Sequence, residues 1–172
     1  RDRGGWQYFA GAQGNVTNYS SWQKISINGA AVPVVANSTT YVTTENTTDA
    51  INWINAQGAN DWFCWVAYNA PHSPFHAAPA VVAGQNNPYP NINNNRQRYE
   101  SMLWAMDAEI GRLLSNIDLN STTVIIIGDN GTPGGIIQAP FGNGRAKGTL
   151  YDGGTHVPLV VAGKAVQNAN TT

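Results

Sequence analysis

The sequence predicts an α/β fold, with a mostly parallel central sheet flanked by helices. Three observations predict it. Short, nearly continuous apolar runs at 62–68, 122–127 and 157–161 are the signature of strands covered on both faces. A long amphipathic repeat lies between the first two runs, as a crossover helix would. Polar and glycine-rich loops follow the strands, where α/β sheets collect their chemistry. With 172 residues, the chain can bury one sizeable core.

Residues 1–42 are rich in aromatic residues, Gly and Asn, without a clean period of 2 or 3.6. They read as surface loops and a small hairpin, with a short strand at 23–27 and Asn28-Gly29 as the turn after it. Residues 44–57 read as a helix. Ala50, Ile51, Trp53 and Ile54 form its apolar face, Thr43 or Thr44 can cap its start, and Gly58 stands where a terminating glycine belongs. The run 62–68 (WFCWVAY) then ends at Asn69-Ala70-Pro71-His72-Ser73-Pro74, which must leave the sheet because proline removes ladder donors.

After an irregular excursion over 77–95, residues 96–117 carry the strongest helical signal in the chain. Tyr99, Met102, Leu103, Met106, Ile110, Leu113, Leu114 and Ile117 recur at i, i+3, i+4, i+7 spacing. The strand at 122–127 stops abruptly at Gly128-Asp129-Asn130-Gly131. A glycine-rich loop runs on to Gly154, and 157–161 closes the pattern as a third strand.

A net charge of −1, with 11% charged residues, gives no electrostatic reason to expect nucleic acid or an anionic membrane as partner. No apolar run approaches the roughly 18 residues of a membrane helix. Cys64 is the single cysteine, so no internal disulfide can form. Asn15, Asn18, Asn37, Asn46, Asn120 and Asn170 open glycosylation sequons, which arise by chance in so Asn- and Thr-rich a chain.

Two polar clusters fall at strand ends, and a third lies in the glycine-rich loop. Asp129-Asn130 offers one carboxylate and one amide oxygen, hard ligands that suit calcium or magnesium better than zinc. Asp-Asn-Gly is equally ordinary turn chemistry. His72 has His76 four residues on, but Pro71 and Pro74 argue against the helix that a shared zinc would need. A loop histidine at a strand end can act as an acid or anion donor, or simply bond to backbone. Lys147, among glycines, can meet an anion as a point charge or stay a solvated surface lysine.

Together these segments resemble the sulfatase family of the alkaline phosphatase superfamily. The stretches that carry the likeness are VAYNAPHSPF at 66–75, YESMLWAMDAEIGRLL at 99–114, IIIGDNG at 125–131 and RAKGTLYDGGTHVP at 145–158. Their order and spacing match the family's, and the likeness thins before about residue 40. The resemblance implies an alkaline-phosphatase-like sandwich, of which 1–172 would be the middle and C-terminal part of the catalytic domain. It implies that Asp129 and Asn130 supply half of a calcium site, and that His72 and Lys147 are catalytic and contact the sulfate group and leaving oxygen. The substrate would be a sulfate-ester small molecule or a sulfated sugar, and the location periplasmic or secreted. Two-metal phosphatases typically carry Asp-His where Asp129-Asn130 stands, so Asn130 points to the single-calcium branch.

The family's nucleophile, a formylglycine from a Cys/Ser-x-Pro/Ala-x-Arg motif, has no counterpart here. Cys64 is followed by Val66 and Tyr68 at the motif's fixed positions. The first pair of calcium aspartates and the small C-terminal sheet subdomain also lack counterparts, and His156 stands where family members often carry Arg. The expectation is therefore a chain inactive alone, partnered by the rest of the sulfatase polypeptide. A phosphonate or phosphate-ester hydrolase of the same superfamily and a non-catalytic binding module are the alternatives.

Overall fold

A computed structural model describes residues 5–29, 31–89 and 91–166. The chain divides into two compact units, Arg1–Asn116 and Ile117–Thr172.

The first unit opens with a three-stranded antiparallel sheet of β1 (Tyr8–Gly11), β2 (Trp22–Asn28) and β3 (Val34–Ser38), in that spatial order. Ile25 of β2 stands opposite Gly11 on one side and Val35 on the other. The strand expected at 23–27 is the middle of this sheet. Gly29, at φ 55°, takes the left-handed turn expected after it. The outer strands escaped notice because their residues show no alternation; they are strands through β2's ladder bonds rather than through pattern.

Helix α1 (Val42–Gln57) packs on α2 (Asn95–Leu114). Neither Thr43 nor Thr44 caps α1, which starts earlier, after Tyr41, and buries Val42, Thr43, Thr47, Ala50 and Ile51. Gly58 ends it as expected, at φ 60°. At the start of α2, the Asn94 side chain accepts from the Gln97 amide while the Gln97 side chain accepts from the Asn93 amide. This reciprocal cap sets the helix start one residue before the apolar repeat predicts. Met102, Ala105 and Ala108 on α2 meet Val16, Tyr19, Trp22 and Tyr41 in the core. Arg112 clamps the two helices, donating to the Thr44 carbonyl and Thr48 hydroxyl at 3.0 Å and to the fully buried Glu109 at 2.7 Å. A two-residue hairpin, β4 (Val81–Val82) with β5 (Gln85–Asn86), lies in the excursion between the helices.

The second unit is an antiparallel ribbon of β6 (Thr123–Ile127) and β7 (Leu159–Gly163), with Ile125 opposite Val161. The loop between them carries one 3-10 turn (Asn143–Arg145) and one helical turn, α3 (Asp152–Thr155).

The expected mostly parallel sheet is not found among the described residues: all three sheets are small, and every pairing is antiparallel. Residues 62–68 belong to no ladder. They run extended with period-2 exposure, leaving Phe63 and Trp65 73% and 72% exposed. An apolar run becomes a strand only when another chain segment offers it donors and acceptors, and none is paired with it here. Instead Trp6 lies over both rings, at 5.8 Å from Phe63 and 6.1 Å from Trp65. No described helix is long and apolar enough to cross a membrane.

Candidate functional site

His72 sits in the loop that follows the extended run, in the first unit. Its ring Nδ1 lies 2.8 Å from the Ser73 carbonyl oxygen. A carbonyl only accepts, so Nδ1 carries the proton, and in the neutral ring Nε2 is the acceptor. The Asn15 side-chain amide donates to it, with Nδ2 3.3 Å from Nε2.

The backbone under His72 is braced by residues distant in sequence. The Tyr19 hydroxyl lies 2.7 Å from the Asn69 carbonyl and 2.8 Å from the His72 carbonyl. The Asn69 amide donates to the Gly14 carbonyl at 3.1 Å, and the His72 amide donates to Asn69 at 2.9 Å. Tyr19 is only 3% exposed, and burial pushes its phenol well above the ordinary tyrosine value, so it stays a protonated donor.

His76, the neighbour that raised the question of zinc, is a structural residue. Its Nδ1 faces the Pro74 carbonyl at 2.9 Å, its Nε2 faces the Tyr41 hydroxyl at 3.1 Å, and its ring lies 4.4 Å from that of Tyr19. Burial lowers its pKa, and the Tyr41 phenol is pushed up to about 12 by burial. Both groups are neutral packing partners near pH 7. Cys64 is half-buried, and burial raises its thiol, which is the condition of an inert cysteine.

Asp129, Asn130 and Lys147 lie in the second unit. The ribbon ends with Gly128 donating to Pro158, which releases Asp129 and Asn130 directly beyond β6. Backbone bonds close the loop on itself: Gly131 donates to the Gly154 carbonyl at 2.9 Å, and Lys147 to the Thr132 carbonyl at 3.0 Å. Lys147 is thereby pinned opposite a residue only three positions from Asp129. The close approach depends on glycine. A Cβ on Gly131 would run into the Gly153 carbonyl, one on Gly153 into the Arg145 carbonyl, and one on Gly154 into the Thr149 carbonyl. Arg145 lies with its guanidinium 5.0 Å from the Tyr151 ring centre, while Lys147 is exposed and its backbone amide is bonded to Thr132, just beyond the Asp129 turn.

Asp129 is exposed and Asn130 half-buried, and among the described residues neither side chain is engaged by another. An acidic turn residue normally bonds its own backbone, as Asp118 does by accepting from the Asn120 amide at 2.9 Å. Asp129 and Asn130 instead keep their oxygens free, which fits hard-cation ligands in kind. They do not fit in number: calcium takes about 6 to 8 oxygens. No cluster of three or more His, Cys, Asp or Glu able to hold a metal occurs among the described residues.

The sulfatase family model matches residues 1–172. The chain belongs to the sulfatase family. Among solved structures, this sulfatase chain is similar to that of Ps i-CgsB, with 27% identity and a TM-score of 0.61. The match covers 74% of this chain and 30% of that one. The same protein in complex with k-i-k-neocarrahexaose matches at 26% identity and a TM-score of 0.59, with the same coverage. The sulfatase chain thus spans under a third of the length of these structures. No curated protein matches it.

The sequence marks Asn15 only as a sequon and gives Tyr19 no signal at all. They sit in a stretch without periodicity, and nothing in their spacing links them to His72 more than 50 residues away. Only Asn69, inside the quoted NAPHSP stretch, carried a local signal.

Proposed function

We propose that this chain forms the calcium-holding and leaving-group side of a sulfate-ester hydrolase, with a sulfated sugar as the favoured substrate class. The single observation that carries the reading is the sulfatase family match across residues 1–172. The sugar is favoured over an aryl sulfate because a 26% identical structure is solved with a neocarrahexaose bound.

Asp129 and Asn130 would hold the calcium together with oxygens from the rest of the protein. Calcium bound there supplies positive charge against the sulfate oxygens. Lys147, an exposed ammonium on the same loop, meets the negative charge that grows on the sulfuryl group. His72 gives a proton to the departing oxygen. With Nδ1–H committed to the Ser73 carbonyl, that proton leaves from Nε2, so the reactive form is the imidazolium. The nucleophile is expected from a Cys/Ser-x-Pro/Ala-x-Arg segment elsewhere in the protein. In the complete α/β sandwich, residues 62–68 would take their place as a strand of a mostly parallel sheet.

The test is turnover by the protein that contains both this chain and that motif. Calcium-dependent hydrolysis of a sulfated hexose, lost in Lys147→Ala and Asp129→Ala, is the expected result. Hydrolysis of phosphate or phosphonate esters without sulfatase activity would overturn it.

A further inference from the structure

The loop 12–19 does more than cover the core. Val16 and Tyr19 anchor it there, being 7% and 3% exposed. From that anchor it reaches the His72 loop at three points: Gly14 receives the Asn69 amide, Tyr19 holds the Asn69 and His72 carbonyls, and Asn15 meets His72 Nε2. Beside Asn15 an open groove of about 220 Å³ runs between this loop and β2, edged by Gln13, Thr17, Ser21 and Gln23 over the buried Trp22. Uncharged amides and hydroxyls are the chemistry that receives a polyol rather than an anion.

We propose that Asn15 is a positioning residue for proton delivery by His72, and that the adjoining groove receives the sugar alcohol that leaves. The proposal rests on the reading of His72 as the acid. The Ser73 carbonyl fixes one edge of the ring and Asn15 the other, so Nε2 is held towards the loop that walls the groove. When the S–O bond breaks, its electron pair stays on the sugar oxygen, and the Nε2 proton moves onto that oxygen. Water, directly or through the enzyme's nucleophile, takes the sulfuryl group. His72 is left neutral with a lone pair on Nε2, and the Asn15 N–H₂ donates to that lone pair. Asn15 thus favours the state reached after proton transfer, where differential stabilisation speeds the step. The same nitrogen is the attachment atom of the Asn15-Val16-Thr17 sequon, and a glycan on it would occupy the groove.

The proposal is tested on the protein that carries this chain with its nucleophile segment, using 4-nitrophenyl sulfate and a sulfated hexose as probes. Nitrophenolate leaves without needing a proton; a sugar alkoxide does not. Asn15→Ala should lower kcat on the sulfated hexose by about ten-fold, a fraction of the ~10²–10⁴ that general acids supply. It should change kcat on the aryl sulfate less than about two-fold. Equal losses on both probes, or none on the sugar, would overturn the proposal. His72→Ala in the same assay separates the two readings. If His72→Ala loses the sugar substrate selectively and Asn15→Ala does not, the positioning role alone has failed. If His72→Ala does not distinguish the probes, the acid reading has failed and the positioning role with it.

Discussion

The two units hold their candidate residues in opposite ways. His72 is braced by side chains: Tyr19 and Asn15 reach it from another part of the first unit, and the Asn69 amide ties the same loop to Gly14. The Asp129, Asn130 and Lys147 loop is held chiefly by backbone, through close approaches at Gly131, Gly153 and Gly154, and its candidate side chains are left disengaged. Where backbone does the holding, a site residue can be removed without loosening the fold. Where side chains do the holding, structure and function fall together.

The largest expected effect tests that contrast on activity. Asp129→Ala should abolish turnover and the calcium response together, while thermal denaturation shows no loss of stability, because the carboxylate is exposed and unbonded. A fall in Tm comparable to a core mutation would mean that Asp129 is a structural turn residue.

Gly131→Ala reverses the pattern. Its Cβ would collide with the backbone of Gly153, and overpacking against groups that cannot swing aside costs about 3 kcal/mol. Gly135→Ala, in the same loop with open space around it, should be neutral by the same denaturation measurement.

Tyr19→Phe probes the other unit. It removes one hydroxyl from two carbonyls and should cost about 2 kcal/mol. Here stability and sugar-sulfate turnover should drop together, unlike the separation predicted for Asp129.

A smaller effect concerns pH. Burial depresses the His76 pKa, so the folded state keeps it neutral below the unfolded value of about 6.5. The unfolded chain then takes up a proton that the folded chain refuses, and stability falls as pH drops from about 6.5 towards the folded pKa. Denaturation curves for His76→Gln should be flatter across that window. An unchanged slope would mean the ring protonates in place.

The same contrast explains what the sequence disclosed. Both long helices were legible because their apolar faces are periodic and their ends carry local signals: Gly58 closes α1, and the apolar repeat places α2 to within three residues at each end. The β6 strand and the Asp129 turn were legible because the apolar run and the glycines are adjacent in sequence. β7 was found two residues late, at Leu159–Gly163, because Pro158 cannot join the ladder through an amide. Residues 62–68 misled, since an apolar run reports burial partners that a ladder must still supply. The bracing of His72 was invisible, because Asn15 and Tyr19 meet it only through the tertiary fold.

The central claim is that this chain supplies one part of a calcium-dependent sulfatase site. Hydrolysis of a chromogenic aryl sulfate, with and without calcium, tests it most directly. Residues 1–172 alone should show no turnover, since two oxygen ligands would fill only part of a calcium shell of about 6 to 8. The chain joined to a segment bearing the Cys/Ser-x-Pro/Ala-x-Arg motif should show turnover that calcium restores after chelation. Robust, calcium-independent hydrolysis by residues 1–172 alone would contradict the account.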